Sequence, residues 1–285
     1  MIIYQNISFK PFNTLHVNNE IKWLFQIENM QEVFILVYLF HYFHIPYHII
    51  GNASKVLFKN QIVDKPIIMI RNCPEIKNYK NQILVSAATP IRYLIVEMAK
   101  KNQGGFENLY AIPASMGGLV TMNAGDKLSC IGDFVEKVIC LDKNAKLCVI
   151  PQKECQFSYR NSCFKNQEYI ILYVLLNYQV KDKKMIFNQI RETLKYRIAH
   201  QDFLSFTCGS LFKNFEKKSA YQLINDAQAN DLEVNDACLS KKHSNFLINR
   251  NNATCEDILQ LIQSIQKKVY AHSQYQLQLE LNILE

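Results

Sequence analysis

Residues 104–125 read GGFENLYAIPASMGGLVTMNAG. Two glycine pairs, Gly104-Gly105 and Gly117-Gly118, hold four of the eight glycines in 285 residues. Small residues let a backbone approach a ligand closely and turn its N–H groups toward phosphate oxygens. A second loop of this kind, Gly51-Asn52-Ala53-Ser54, follows an apolar stretch. On spacing alone, these loops, with Ser115-Met116-Gly117-Gly118 and Asn123-Ala124-Gly125, read first as tight turns, with a phosphate cradle as the alternative.

Outward from this stretch, strand-like and helical segments alternate. Ile67–Ile70 and Ile83–Ser86 are apolar runs of strand length. Thr89-Pro90 has the form of an N-cap with proline at the first helical position. Ile91, Leu94, Ile95 and Met98 then share one face, with Gly104-Gly105 as the stop. Lys137–Asp142 and Leu147–Ile150 read as a hairpin, and Tyr169–Val180 as a long strand. Val33–Ile50, VFILVYLFHYFHIPYHII, imitates a membrane span, but three histidines and Pro46 interrupt it. It reads instead as a buried helix to about His44 and a strand ending at Gly51.

Composition changes at Lys181-Asp182-Lys183-Lys184, after which Ile186, Ile190, Leu194 and Ile198 recur at helical spacing. Thr254 caps a later helix with buried face Ile258, Leu261, Ile262, Ile265 and Val269, and a strand from Gln276 to Leu284 closes the chain. The expectation is an α+β protein with one region over residues 1–180, in two parts divided near residue 58, and a second over 181–285.

Other classes are excluded by what is missing. There is no GxGxxG, GxxxxGK[ST], HExxH or GxSxG. The net charge of +7 is not gathered into a basic arm, so no nucleic-acid partner is expected. Nine cysteines, an odd number without a CxxC pair or other zinc spacing, fit buried thiols in a reducing cytoplasm. No metal site and no membrane partner are expected, and nothing specifies the oligomeric state.

Two more clusters have chemical content. In Ser158-Tyr159-Arg160-Asn161-Ser162, an arginine beside an apolar strand can grip a carboxylate through two parallel hydrogen bonds. An exposed loop arginine is the plainer alternative. In Cys208-Gly209-Ser210-Leu211-Phe212-Lys213-Asn214, a hydroxyl stands near a cation and an amide, or the segment is simply a turn.

Taken in order, these segments resemble the UDP-N-acetylenolpyruvoylglucosamine reductase (MurB) family over nearly the whole chain. The motifs are Phe12-Asn13-Thr14, Gly51–Ser54, the series from Gly105-Phe106-Glu107 to Gly125, and Tyr159–Ser162. Gly209-Ser210 with Phe212-Lys213-Asn214 follows, then Ser240-Lys241-Lys242-His243-Ser244-Asn245-Phe246 with Asn249. The short interval between Gly209 and His243 resembles the shorter family type, without an inserted tyrosine loop.

The resemblance implies an FAD-binding fold of the vanillyl-alcohol oxidase type over 1–180 and a carboxy-terminal α+β substrate domain over 181–285, the last strand contributing to the active site. It implies a cytoplasmic enzyme of peptidoglycan precursor synthesis that reduces UDP-N-acetylglucosamine enolpyruvate with NADPH through FAD. The loops at 51–54, 115–118 and 123–125 are then the cofactor loops. Tyr159, Lys213, Asn214, Lys242 and His243 face substrate, Arg160 stabilises an enolate, and Ser210 donates a proton. Counting without gaps from Val269 puts the third catalytic group at Glu280; anchoring on Leu279-Glu280 puts Asn282 there. Ala114, Asn52-Ala53, Gln228–Asp231 and Asn235-Asp236 stand where the family has glycines. A different flavin oxidoreductase on this fold, and a family member that binds nucleotide sugar without turnover, are the competing readings. Ser210 and Lys213-Asn214 oppose the first; Arg160, Ser210 and Glu280 oppose the second.

Overall fold

In the computed structural model, which describes residues 1–126, 128–166, 168–202 and 204–285, the stretch that imitates a membrane span is a helix, α1 (Met30–Tyr42), and a strand, His48–Ile50. Asn29 starts α1, its side-chain oxygen accepting from the N–H groups of Gln31 and Glu32. Met30, Val33, Leu36, Val37 and Phe40 form the buried face. Phe34, Tyr38 and Tyr42 lie exposed opposite it, so the run is apolar all round although one face packs. The helix ends with His44 left-handed (φ 54°) and the Ile45 N–H reaching back to the Phe40 carbonyl at 2.8 Å. No helix among the described residues is long and apolar enough to cross a membrane.

The chain forms two compact units. The first comprises residues 1–4, 23–52 and 65–195. Ile67–Met69 pairs in parallel with Leu24–Gln26 on one side and His48–Ile50 on the other. A five-stranded antiparallel sheet runs in the order Leu147–Pro151, Val135–Asp142, Tyr169–Asn177, Gln82–Ser86, Ile76–Tyr79, and includes the expected hairpin. Helices α2 (Ile91–Ala99) and α3 (Met116–Thr121) bury Leu94, Met98, Leu119 and Val120 with Ile68, Val85, Val138 and Val174 in one core.

Three local expectations change in this unit. Pro90, in extended conformation, is itself the N-cap of α2, because the Thr89 hydroxyl is engaged with that of Ser86 at 2.9 Å. The helix stops at Ala99 and the chain reverses at Asn102 (φ 55°), one of the few residues that tolerate this conformation. Gly104 is therefore not the stop. Gln103-Gly104 pairs with Gln179-Val180, and this pairing splits the expected long strand after Asn177.

Helix α4 (Lys183–His200) follows the compositional change at residue 181. Its Ile186 and Ile190 belong to the first core, so the division by packing falls after residue 195. The second unit comprises residues 5–22, 53–64 and 196–285. Its antiparallel sheet runs Phe206–Ser210, Phe246–Asn249, Ala237–Leu239, Glu233-Val234. Helices α5 (Ala220–Asp226) and α6 (Cys255–Ser273) bury Leu223, Ile224, Leu261 and Ile265 with Leu211, Phe212 and Leu247. Thr254 and Asp257 close a reciprocal capping box on α6, whose buried face is the expected one. At the chain's end only Asn282–Leu284 is strand, paired in parallel with Val56–Phe58, while Leu279 bridges to Phe212.

Helix α5 ends in a Schellman turn, the Ala229 N–H bonding the Ile224 carbonyl (2.9 Å) and the Gln228 N–H that of Asn225 (2.8 Å). The left-handed position is Gln228 (φ 52°), which is exposed. Gln228→Gly should raise the stability of the protein by about 1 kcal/mol, since a side chain makes this conformation costly. Urea unfolding checks it through a higher midpoint at unchanged slope.

Candidate active site

In the second unit, the strand Phe206–Ser210 is broken by a bulge: Thr207 pairs with Ile248, but the next paired residue is Ser210, with Phe246. Gly209 lies inside it with φ 70°, its N–H bonded to the Thr207 hydroxyl at 3.0 Å. A bulge of this kind turns the following side chain away from the ladder. Ser210, half-buried, thus emerges beside the segment that closes the chain. Glu280 donates its N–H to the Leu211 carbonyl, and Lys213 its N–H to that of Gln278, each at 2.8 Å. The Glu280 side chain is 8% exposed and its Oε1 lies 3.2 Å from Lys55 Nζ. The same ammonium donates to the Ser210 carbonyl. Asn282 is directed elsewhere: its amide and its N–H both donate to the Lys55 carbonyl, at 3.1 and 2.9 Å.

Burial pushes the neighbouring Cys208 thiol up to about 11, the Lys55 ammonium opposing this and Glu280 reinforcing it. The thiol is neutral at physiological pH and contributes bulk rather than a nucleophile. All nine cysteines are free.

Much of the motif Ser240–Asn245 braces this region. Asn245 accepts the Phe212 N–H and donates to the Phe212 carbonyl, both at 2.9 Å, an arrangement whose loss would leave buried backbone groups unpaired at about 1–3 kcal/mol each. The Ser240 hydroxyl binds Asp202 and accepts the N–H groups of Lys242 and His243. Asn13 is likewise a clasp, its side chain bonded to Phe9 and Val17, and Asn249 donates to the Leu15 carbonyl. Of the expected substrate residues, Lys213 is half-buried. Asn214 is exposed, with its oxygen on the Ala220 N–H. Lys242 is exposed, 3.8 Å from Asp202. His243 packs between Tyr221 and Phe246, ring centroids 5.0 and 4.7 Å away.

In the first unit, Ser158 and Asn161 exchange backbone hydrogen bonds, so Tyr159 and Arg160 form the tip of a tight turn. Arg160 is left-handed (φ 53°), stacks its guanidinium over the Tyr159 ring at 5.1 Å, and donates to the Gly125 carbonyl at 3.0 Å. Asn123, also left-handed, ties the turn to the small-residue series: its amide reaches the Ser158 carbonyl, and its oxygen takes the Gly132 N–H. A side chain at Gly125 would strike Ser129 and Cys130 backbone within 2.5 Å. Ala124 is partly buried next to it.

The loops at 51–52 and 115–118 meet. A Cβ on Gly51 would lie 2.5 Å from the Ser115 hydroxyl, which is buried and has no hydrogen-bond partner among the described residues. Met116 and Gly117 turn their N–H groups inward, to the carbonyls of Thr89 and Ala87 at 2.9 Å, which corrects the expectation that they point at a phosphate. The orphaned hydroxyl, with room kept by Gly51, fits a bound cofactor that supplies the missing partner. Ala53, beyond Asn52, takes a left-handed conformation (φ 47°) without glycine's freedom, and Ser54 is partly buried after it. Lys55, the next residue, lies outside every motif. The only signal for it was a cation directly after a small-residue loop.

The comparisons agree end to end. The family model for the carboxy-terminal domain of UDP-N-acetylenolpyruvoylglucosamine reductase matches residues 201–284. The UDP-N-acetylenolpyruvoylglucosamine reductase of Prochlorococcus marinus (strain NATL2A) is 30% identical over 268 residues, covering 93% of this chain and 92% of its own. That of Carboxydothermus hydrogenoformans is 29% identical over 283 residues, covering 99% and 94%. Among solved structures, the reductase from Thermus caldophilus superposes with a TM-score of 0.84 at 27% identity, covering all of both chains.

Burial of His243 lowers its pKa from the usual imidazole value. The unfolded chain then binds a proton that the folded one resists. This contribution to stability is complete above about pH 6.5 and is lost as the pH falls below it. An NMR titration should place the His243 midpoint below 6.5, so that it is uncharged at pH 7.

Proposed function

Since the chain belongs to the UDP-N-acetylenolpyruvoylglucosamine reductase family, we propose that it reduces UDP-N-acetylglucosamine enolpyruvate to UDP-N-acetylmuramate with NADPH, through FAD, in cytoplasmic peptidoglycan precursor synthesis. The observation that carries this reading is the correspondence over 92% of a named reductase's length. The first unit, with the buried Ser115 hydroxyl beside Gly51, would hold the flavin, together with the loops at 51–54 and 123–125. When bound, the flavin supplies hydride chemistry that no side chain possesses.

The protein's own task is to manage charge and protons. Reduction of the enolpyruvyl double bond leaves negative charge on the carbon that bears the carboxylate. Arg160, kept in place by the Gly125 carbonyl and the Tyr159 ring, is assigned to that charge, because a preorganised guanidinium stabilises it better than mobile water. Ser210, turned out by the bulge at Gly209, is assigned to donate the proton to the same carbon. Glu280, on the segment hydrogen-bonded to Leu211, is assigned as the third group, in preference to Asn282, whose amide serves the Lys55 carbonyl. Lys213 and Lys242 are the cations available for the anionic parts of the substrate, with Tyr159 and Asn214 as polar surface. His243 contributes shape.

The protein should purify yellow with FAD and oxidise NADPH only when the enolpyruvyl sugar nucleotide is present, the product being heavier by two hydrogens in mass spectrometry. Colourless protein that takes up no flavin, or NADPH consumption indifferent to the sugar nucleotide, would refute the reading.

Arg160→Lys should lower kcat by about 100- to 1000-fold, the loss typical of one preorganised donor, with flavin content unchanged. Lysine keeps the charge but not the planar fork. Steady-state kinetics beside flavin absorbance measures both, and a full kcat would remove Arg160 from the reaction.

A further inference from the structure

Lys55 is held at both ends. Its carbonyl accepts two hydrogen bonds from Asn282, and Val56–Phe58, immediately after it, are pinned by parallel pairing with Asn282–Leu284. From this anchored start the ammonium donates to the Ser210 carbonyl and lies 3.2 Å from Glu280 Oε1. Gly209, left-handed with φ 70°, lies next to the nitrogen: a Cβ built there would be in ordinary contact with it at 3.9 Å. Glu280 is 7% exposed, and a carboxylate so buried is unfavourable without a cation. An ammonium is a compact charge with three donors, suited to holding a carbonyl and a carboxylate together.

We propose that Lys55 is a positioning residue for the reductive step, fixing the Glu280 carboxylate against the Ser210 segment before substrate arrives. The inference rests on the function proposed above. The ammonium and carboxylate neutralise one another, so the pair adds little attraction for an anionic substrate. Its effect falls on kcat rather than KM.

The experiment compares Lys55→Met, Lys55→Arg, Glu280→Gln and the double variant Lys55→Met/Glu280→Gln, all loaded with FAD. Lys55→Met should lose about ten- to hundredfold in kcat, as for a displaced preorganised group, with flavin content unchanged. KM for UDP-N-acetylglucosamine enolpyruvate should stay within about threefold, since uniform binding is untouched. Lys55→Arg, which keeps the cation, should recover most of the loss. In the Glu280→Gln background, Lys55→Met should change kcat by no more than about twofold, because no carboxylate is left to position. Should Lys55→Met fail to fold, the double variant, which removes both charges, should still fold and match Glu280→Gln. Full kcat in Lys55→Met, a loss confined to KM, an equal loss in both backgrounds, or a double variant below Glu280→Gln overturns the proposal. A wild type without turnover overturns the functional reading as well, whereas an active wild type with an unaffected Lys55→Met overturns this inference alone.

Discussion

Three residue pairs, Asn282 with Val56, Ile283 with Leu57 and Leu284 with Phe58, hold the second unit's chemistry together. This parallel pairing joins the end of the chain to a segment more than 220 positions earlier, a span that only compensating contacts can repay in entropy. Leu57, fully buried with Leu211, Phe212 and Leu281, supplies them. With the pairing in place, Lys55 precedes one strand, Glu280 precedes the other, and Leu211 accepts the Glu280 N–H. Without it, Glu280 would be a surface glutamate on a loose end.

Periodic elements were legible in the sequence because burial imposes the period. The faces of α2 and α6 follow from apolar spacing, and Thr254 from its place before Glu256 and Asp257. The hairpin of Lys137–Asp142 and Leu147–Ile150 is local and was equally readable. Non-local facts left no mark. Nothing near Gly104 announces its partner Gln179, and nothing near residue 181 announces that Ile186 joins the earlier core. The site divides in the same way. Order and residue type single out Arg160 and Ser210 as candidates, and the ungapped count favours Glu280 over Asn282, whereas Lys55 depends on a distant pairing. Several motif residues, Asn13, Asn245 and Asn249, turn out to serve as backbone clasps.

The use of glycine runs against first expectation. Among the described residues, fourteen that are not glycine have positive φ, against Gly105 and Gly209. Asparagine, glutamine, histidine, alanine, Lys80 and Arg160 take the left-handed positions, while Gly51, Gly125 and Gly132 are needed for space. The apparent loss of glycines at Ala53, Gln228 and Asn235 is therefore a loss of conformational ease, with the backbone path retained. Such positions cost stability individually without redrawing the fold.

The second unit is assembled from residues 5–22, 53–64 and 196–285. A polypeptide leaves the ribosome in order, so its first two pieces emerge long before the third. Until then their apolar side chains, Leu15, Val17 and Leu57 among them, lack the partners that finally bury them. The first unit's 65–195 segment can collapse meanwhile, but Ser210 and Glu280 are made long after Lys55. Synthesis therefore passes through a long interval in which half-made protein presents sticky surface. Surface of that kind is what chaperones cover while the remaining contacts form.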